Sequence, residues 1–285
     1  MRYDNQKCPR EGDAMRITIH DDFDLDKIIG CGQCFRPRRL ADGTYLFPSA
    51  GRALRLRSLG AGEYEADCRT DEWDAVWARY FDLSRDYAAL RAAIPPDEPF
   101  LREAAACGAG LRVLRQDPWE TLVSFILSQR KSIPAIRGCV EQLCRAFGEP
   151  LEGGLFAFPA PERLAQAAPE ALRACSLGYR ADYVRDAAER VSLGALDLAA
   201  LETAGDETLM AALLSVRGVG VKVANCTALF AYGRASCAPV DVWIRRIIDR
   251  RCGGENPFCR FGGCAGILQQ YCFYYALQEK QALRD

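Results

Sequence analysis

Lys222 and Asp241 are the side chains with the most chemistry to offer. Lys222 follows the glycine hairpin Gly218-Val219-Gly220 and opens an expected helix, and Asp241 ends Pro239-Val240-Asp241, after that helix and a short loop. A glycine hairpin between two helices turns backbone N–H groups outward, where they can hold a phosphate. Lys222 supplies an amine and Asp241 a fixed anion. A charged ammonium cannot attack a carbon, so the amine must be held uncharged; partial burial and the positive end of a helix at Val221 both favour that form. Asp241 precedes Val242-Trp243-Ile244 and also suits a helix N-cap, a role compatible with stabilising a developing cation. Hairpin, amine and anion together suggest covalent chemistry on bound DNA that releases a base.

Composition narrows the alternatives. The chain has 285 residues, 49% of them hydrophobic, enough for one large core or a few smaller layers. No run of apolar residues is long enough for a transmembrane helix, and MRYDNQKCPREGD at the start has no signal-peptide core. An intracellular protein is therefore expected, in the cytoplasm or nucleoid if the source is bacterial. The only histidine, His20, lies in the alternating run Arg16–His20 and reads as a solvent-facing strand residue. Its isolation argues against serine or cysteine nucleophiles that need a histidine base. The 14 cysteines are scattered and read as reduced, mostly buried thiols. Cys31-Gly32-Gln33-Cys34 has the spacing of a zinc or redox motif, but no second such pair exists, so no metal on side chains is expected. Net charge is −1, yet Arg217, Lys222, Arg234, Arg245, Arg246, Arg250 and Arg251 are opposed locally only by Asp241 and Asp249. Such segregation fits one basic face for nucleic acid.

The elements that must position these residues form an α+β chain. Residues 1–14 read as a polar tail. From Met15 to Cys68 polar and apolar residues alternate, with turns at Asp42-Gly43 and Gly60-Ala61-Gly62, which predicts an antiparallel sheet. Asp71 to Ala93 has helical spacing, with Trp73, Val76, Trp77, Tyr80 and Phe81 to one side, and Pro95-Pro96 ends it. The sheet domain thus spans 15–100 with a flanking helix. A mostly helical body follows over 101–285, with the helix-hairpin-helix at about 209–232.

The stretch VRGVGVKVANC…APVD resembles the signature of the helix-hairpin-helix glycosylases. Four further segments, IIGCGQCFRPRR (28–39), LRQDPWETLVSFILSQ (114–129), LGYRADYV (177–184) and GGCAGILQQYCFYY (262–275), resemble the 8-oxoguanine DNA glycosylases of eukaryotic type, in the same order. The resemblance runs from about Ile17 to Leu277. It implies a bifunctional enzyme: Lys222 displaces 8-oxoguanine from the anomeric carbon, and the Schiff base then allows β-elimination at the abasic site. The implied partner is duplex DNA containing 8-oxoguanine, bound by a monomer.

The same resemblance assigns the base pocket. Gln269 would read the Watson–Crick edge of the extruded base, with Phe273 and Cys226 as stacking walls. Helical spacing independently puts Gln269 with Phe273, and Lys222 with Cys226, on shared helix faces. Gly32 would offer its carbonyl to N7–H of the lesion, a donor where guanine has an acceptor, and glycine permits that close approach. Tyr179 matches a duplex wedge and Arg180 a reader of the orphaned cytosine. Gly218 and Gly220 would approach the DNA backbone, and the carbonyls of Leu214, Val216 and Val219 would hold a monovalent cation. No other cofactor is expected. Cys252, Cys259, Cys264 and Cys272 depart from the spacing of the iron–sulfur clusters some helix-hairpin-helix repair enzymes carry, so none is expected here.

Three positions depart from the eukaryotic pattern. Arg130-Lys131-Ser132 replaces an asparagine run that fills the gap left by the base, Ala135 replaces a second cytosine-reading arginine, and Trp243 replaces a phosphate-binding histidine. Losing one bidentate partner predicts relaxed preference for cytosine opposite the lesion. Two other functions compete: a non-catalytic helix-hairpin-helix DNA-binding module, and a monofunctional glycosylase for alkylated bases that uses water. Lys222 argues against the second, and Lys222 and Asp241 at catalytic spacing, with Gln269 and Phe273, argue against the first.

Overall fold

The alternating N-terminal segments form a six-stranded antiparallel sheet in the computed structural model, which describes residues 3–6, 14–151 and 154–282. The strands are β1 (Tyr3–Gln6), β2 (Met15–Ile19), β3 (Arg38–Arg39), β4 (Tyr45–Ser49), β5 (Arg52–Gly60) and β6 (Glu63–Ala66), in the spatial order β1-β2-β6-β5-β4-β3. Met15, Ile17 and Ile19 are buried along β2 while Arg16 is exposed, so the period of two marks the covered face. The expected polar tail contributes β1, which pairs Tyr3 with Ile19; residues 7–13 of it lie outside the described residues. His20 falls one residue past β2, exposed, and meets Asp4 at 2.8 Å.

Two departures from the expected pattern occur here. Helix α1 (Leu25–Gly30) interrupts the sheet region, started by Asp24, whose carboxylate accepts from Lys27 N–H at 3.0 Å. The single helix expected over 71–93 is split. Helix α2 (Thr70–Glu72) passes through a π-helical turn at Trp73–Trp77 into α3 (Ala78–Tyr80), the chain reverses at left-handed Asp82 (φ 50°), and α4 (Tyr87–Ala92) follows. Trp73, Trp77 and Phe81 must all reach the core at four-residue spacing, and a wider turn keeps such a row aligned where 3.6 residues per turn would let it drift.

The body comprises α5 (Pro99–Cys107), α6 (Pro118–Leu127), α7 (Ile133–Phe147), α8 (Pro161–Ala165), α9 (Pro169–Ala174), α10 (Arg180–Ser192), α11 (Asp206–Leu214), α12 (Val221–Phe230), α13 (Val242–Arg251) and α14 (Ala265–Ala282). A two-stranded ribbon, β7 (Pro150–Leu151) with β8 (Leu155–Phe156), was not apparent in the helical pattern. Helix α6 is started by Pro118 and by Asp117, which accepts from Glu120 N–H at 2.8 Å. It is buried almost all round, as is α12, and the two pack together with Phe125 and Phe230 stacked at 5.4 Å. No helix among the described residues is long and apolar enough to cross a membrane.

Two hydrophobic clusters, one under the sheet and one among the helices, are joined by buried charge. Arg112 is 0% exposed. It donates to the carbonyls of Phe81, Asp22 and Arg85, each at 2.9 Å, meets Asp21 at 3.3 Å and lies over the Tyr87 ring at 4.3 Å. A buried guanidinium is tolerated only when its donors are so satisfied. Arg36 likewise reaches from the sheet domain to Glu120 of α6 at 3.1 Å and to the Phe156 carbonyl.

Candidate active site

The C-terminal end of α6 meets the N-terminal end of α12, and that junction places the Lys222 amine. Gly220, extended, caps α12, so Lys222 emerges in its first turn. Its Nζ lies 3.3 Å from the Ser128 hydroxyl and 4.8 Å from the centre of the Phe125 ring. Lys222 is half-buried. Asp241 caps α13 as expected: Oδ1 accepts from Ile244 N–H at 2.9 Å, which fixes the carboxylate and leaves Oδ2 for a cationic partner.

Lys222, Asp241, Gly32, Cys226, Gln269 and Phe273 all line one open cavity. Residues 190 positions apart in sequence (Gly32 and Lys222) are thereby brought together. Gln269 is 3% exposed, yet its Oε1 has no hydrogen-bond partner among the described residues. Leaving a buried acceptor unpaired costs about 1–3 kcal/mol, which a ligand donor in the cavity would recover. Phe273, half-buried one turn further along α14, forms a wall. Cys226 is buried, and that burial pushes its thiol up, opposed by the neighbouring Lys222. Gly32 is left-handed (φ 76°), and a Cβ there would stand 2.9 Å from Phe273 Cε1 and 3.0 Å from Ile133 Cδ1. The position demands glycine on both counts.

The hairpin is built on a close approach. Gly218 is left-handed (φ 80°), and a Cβ would overlap the Tyr183 ring. Its carbonyl accepts from Gln129 Nε2 at 3.0 Å, tying the hairpin to the end of α6. Gly220 has open space around it, suited to an approaching phosphate. Val219 N–H donates to the Val216 carbonyl at 3.0 Å. Leu214 is the last residue of α11, where carbonyls lack helical partners and carry the negative end of the dipole. Leu214, Val216 and Val219 thus have the donor chemistry a monovalent cation takes. Among the described residues no group of three or more His, Cys, Asp or Glu could hold a metal ion.

The other DNA-contact candidates divide. Tyr179 is 51% exposed at the start of α10, edge-on to Tyr183. Arg180, in contrast, is 6% exposed; its guanidinium donates to the Gln129 and Leu177 carbonyls and lies over the Tyr179 ring. Arg130 is exposed and left-handed (φ 54°), while Lys131 donates to the Ser176 carbonyl at 3.0 Å. Lys131 and Trp243 border a larger groove shared with Gly32, Phe125, Lys222, Asp241 and Phe273. The basic face is smaller than the sequence implied. Arg234 is committed to Asp206 and to backbone carbonyls, and Arg251 to Glu103 and Glu279. Arg217, Arg245, Arg246 and Arg250 remain exposed.

Ser128, Phe125 and Gln270 belong to the site but were not singled out in the sequence. Ser128 and Phe125 lie in an apolar helix whose face toward Lys222 only the packing of α6 on α12 defines. Gln270 was detectable as a second polar residue in a buried stretch, beside Gln269.

Residues 16–122 match the family described as 8-oxoguanine DNA glycosylase, N-terminal domain, and residues 123–257 match the HhH-GPD superfamily of base excision DNA repair proteins. An N-glycosylase/DNA lyase of Saccharomyces cerevisiae is 34% identical over 192 residues, 60% of this chain and 50% of that one. The N-glycosylase/DNA lyase OGG1 of Arabidopsis thaliana is 30% identical over 259 residues, 85% of this chain and 70% of that one. The chain thus spans half the length of the yeast relative. Among solved structures, the Clostridium acetobutylicum 8-oxoguanine glycosylase/lyase, in complex with double-stranded DNA containing cytosine opposite 8-oxoG, superposes with a TM-score of 0.90 at 30% identity, covering 98% of this chain and 100% of that one.

Proposed function

We propose a function from one premise: the chain belongs to the 8-oxoguanine DNA glycosylase family. It is a base-excision enzyme acting on duplex DNA that contains 8-oxoguanine, and it is both a glycosylase and an abasic-site lyase. The observation that carries this reading is the convergence of the Lys222 amine, the Asp241 carboxylate and the unpartnered Gln269 amide oxygen on one cavity.

The hairpin grips the strand through backbone N–H groups; the Leu214, Val216 and Val219 carbonyls would hold a monovalent cation, which when bound would add positive charge there. Tyr179 wedges the duplex, and the damaged nucleotide turns out of the stack into the cavity. Gln269 accepts from the base edge, Phe273 and Cys226 enclose its faces, and the Gly32 carbonyl accepts from N7–H. The Lys222 amine, uncharged, attacks the anomeric carbon. The carbon–nitrogen bond to the base breaks with its electron pair leaving on the base, which takes up a proton. Positive charge that develops on the sugar is stabilised by Asp241, already oriented as the α13 cap. Ring opening gives a Schiff base. Loss of a C2′ proton then expels the 3′ phosphate by β-elimination.

Borohydride reduction on an 8-oxoguanine duplex tests the reading. The expected result is a covalent protein–DNA adduct that Lys222→Gln abolishes, together with excision. A water-using glycosylase would excise without an adduct, and a binding module would do neither. Excision at undiminished rate by Lys222→Gln overturns the proposal.

A further inference from the structure

Three consecutive carbonyls in the turn after α1 have different fates. Gln270 Nε2 donates to the Cys31 carbonyl at 2.7 Å, and Gln116 Nε2 donates to the Gln33 carbonyl at 2.8 Å. Between them, the Gly32 carbonyl receives no hydrogen bond from any described residue, although Gly32 lines the base cavity. The Gln33 side chain, itself 0% exposed, anchors the turn further: Nε2 donates to the Arg112 carbonyl at 2.8 Å, and Oε1 accepts from Leu114 N–H at 2.8 Å.

Gln270 is 2% exposed, so its amide was desolvated to make this contact. A buried amide that lacks its partner is unfavourable, and one that has it locks the group it meets. Holding the Cys31 carbonyl fixes the Cys31–Gly32 peptide plane, from which the chain continues through the left-handed φ of Gly32. Holding the Gln33 carbonyl fixes the following plane. The Gly32–Gln33 plane between them then has little freedom to turn its oxygen. Neighbouring Gln269 has the opposite character, because its amide oxygen is unpartnered. One glutamine of the pair serves the ligand and the other serves the scaffold.

We propose that Gln270 is the positioning residue for lesion discrimination. Its amide holds the Gly32 carbonyl where it accepts from N7–H of 8-oxoguanine and opposes the N7 lone pair of guanine. Gln270 borders the cavity but is 2% exposed with its Nε2 committed to the Cys31 carbonyl, so it acts through the turn. The proposal rests on the reading of the cavity as an 8-oxoguanine pocket.

The test uses the full chain in a Lys222→Gln background, so that binding is measured without turnover. Dissociation constants are compared for duplexes carrying 8-oxoguanine, guanine, or the 7-deaza analogue of 8-oxoguanine, in which C–H replaces N7–H. Adding Gln270→Met keeps the side-chain volume and removes the donor. It is expected to lower the preference for 8-oxoguanine over guanine about tenfold, the worth of one well-placed hydrogen bond. Affinity for the guanine duplex should hold or rise, because the carbonyl that opposes guanine N7 is released, while the melting temperature falls through the unpaired Cys31 carbonyl whichever duplex is used. The parent should bind the 7-deaza duplex about tenfold more weakly than 8-oxoguanine, and the Met variant should hardly distinguish the two. Gln270→Ala is the second variant, expected to lower the same preference, should Met not fold. An unchanged preference, or equal weakening on every duplex, overturns the proposal alone. A parent with no preference for 8-oxoguanine overturns the pocket reading as well.

Discussion

The Ser128 hydroxyl donates to the Phe125 carbonyl at 2.7 Å and stands 3.3 Å from Lys222 Nζ. Its proton is therefore committed to its own helix, and its lone pairs are what the amine meets. On the proposed mechanism Ser128 orients the Lys222 amine. Ser128→Ala should lower kcat roughly fivefold, corresponding to about 1 kcal/mol, with KM unchanged and a slower rise of the borohydride-trapped adduct. A change confined to KM would assign the hydroxyl to DNA binding instead.

Gly218 cannot carry a side chain. Its φ is +80°, and a Cβ would overlap the Tyr183 ring on α10. Gly218→Ala should destabilise the hairpin by about 1–3 kcal/mol and weaken binding to damaged and undamaged duplex alike. Opposite effects on the two duplexes would show that the hairpin reads the lesion, contrary to its assignment as a phosphate grip.

Opposite-base preference should be weak. Ala135 cannot replace a second arginine, and Arg180 is already engaged with the Gln129 and Leu177 carbonyls. Reaching an orphaned cytosine would require breaking those bonds, which offsets much of the roughly 1–3 kcal/mol a bidentate base contact supplies. Single-turnover excision opposite C, A, G and T should agree within about tenfold. Cleavage opposite cytosine alone would refute this.

Stability should fall with rising pH in the near-neutral range. Burial pushes the Glu120 carboxyl up from 4.5 to about 7, against the pull of Arg36, and burial raises Asp117 in the same direction. Between those values the unfolded chain has lost a proton that the folded chain keeps. The stabilisation is therefore complete below about 4.5 and is lost as pH rises through about 7. Melting temperature should decline across that window, and Glu120→Gln should flatten the decline. An upward slope in the parent would reverse the assignment.

The sequence alone carried whatever depends on near neighbours. The pairs Lys222–Cys226 and Gln269–Phe273 were legible because a helix repeats every 3.6 residues, so residues four apart share a face. The antiparallel sheet was legible in the alternation of β2 and β5, and the Asp241 cap in its place before Val242. Tertiary structure decided what depends on distant partners. It brought Gly32 against Phe273, 241 positions away, and Ser128 against Lys222. It withdrew Arg234 and Arg251 from the basic face by pairing them with carboxylates and backbone carbonyls, and it engaged Arg180 with the Gln129 and Leu177 carbonyls. It turned the chain at Asp82 so that Tyr87 could pack under Arg112. Propensity and periodicity act over a turn or a strand. Burial and pairing are set by whichever elements the whole core brings together, and no local pattern encodes that choice.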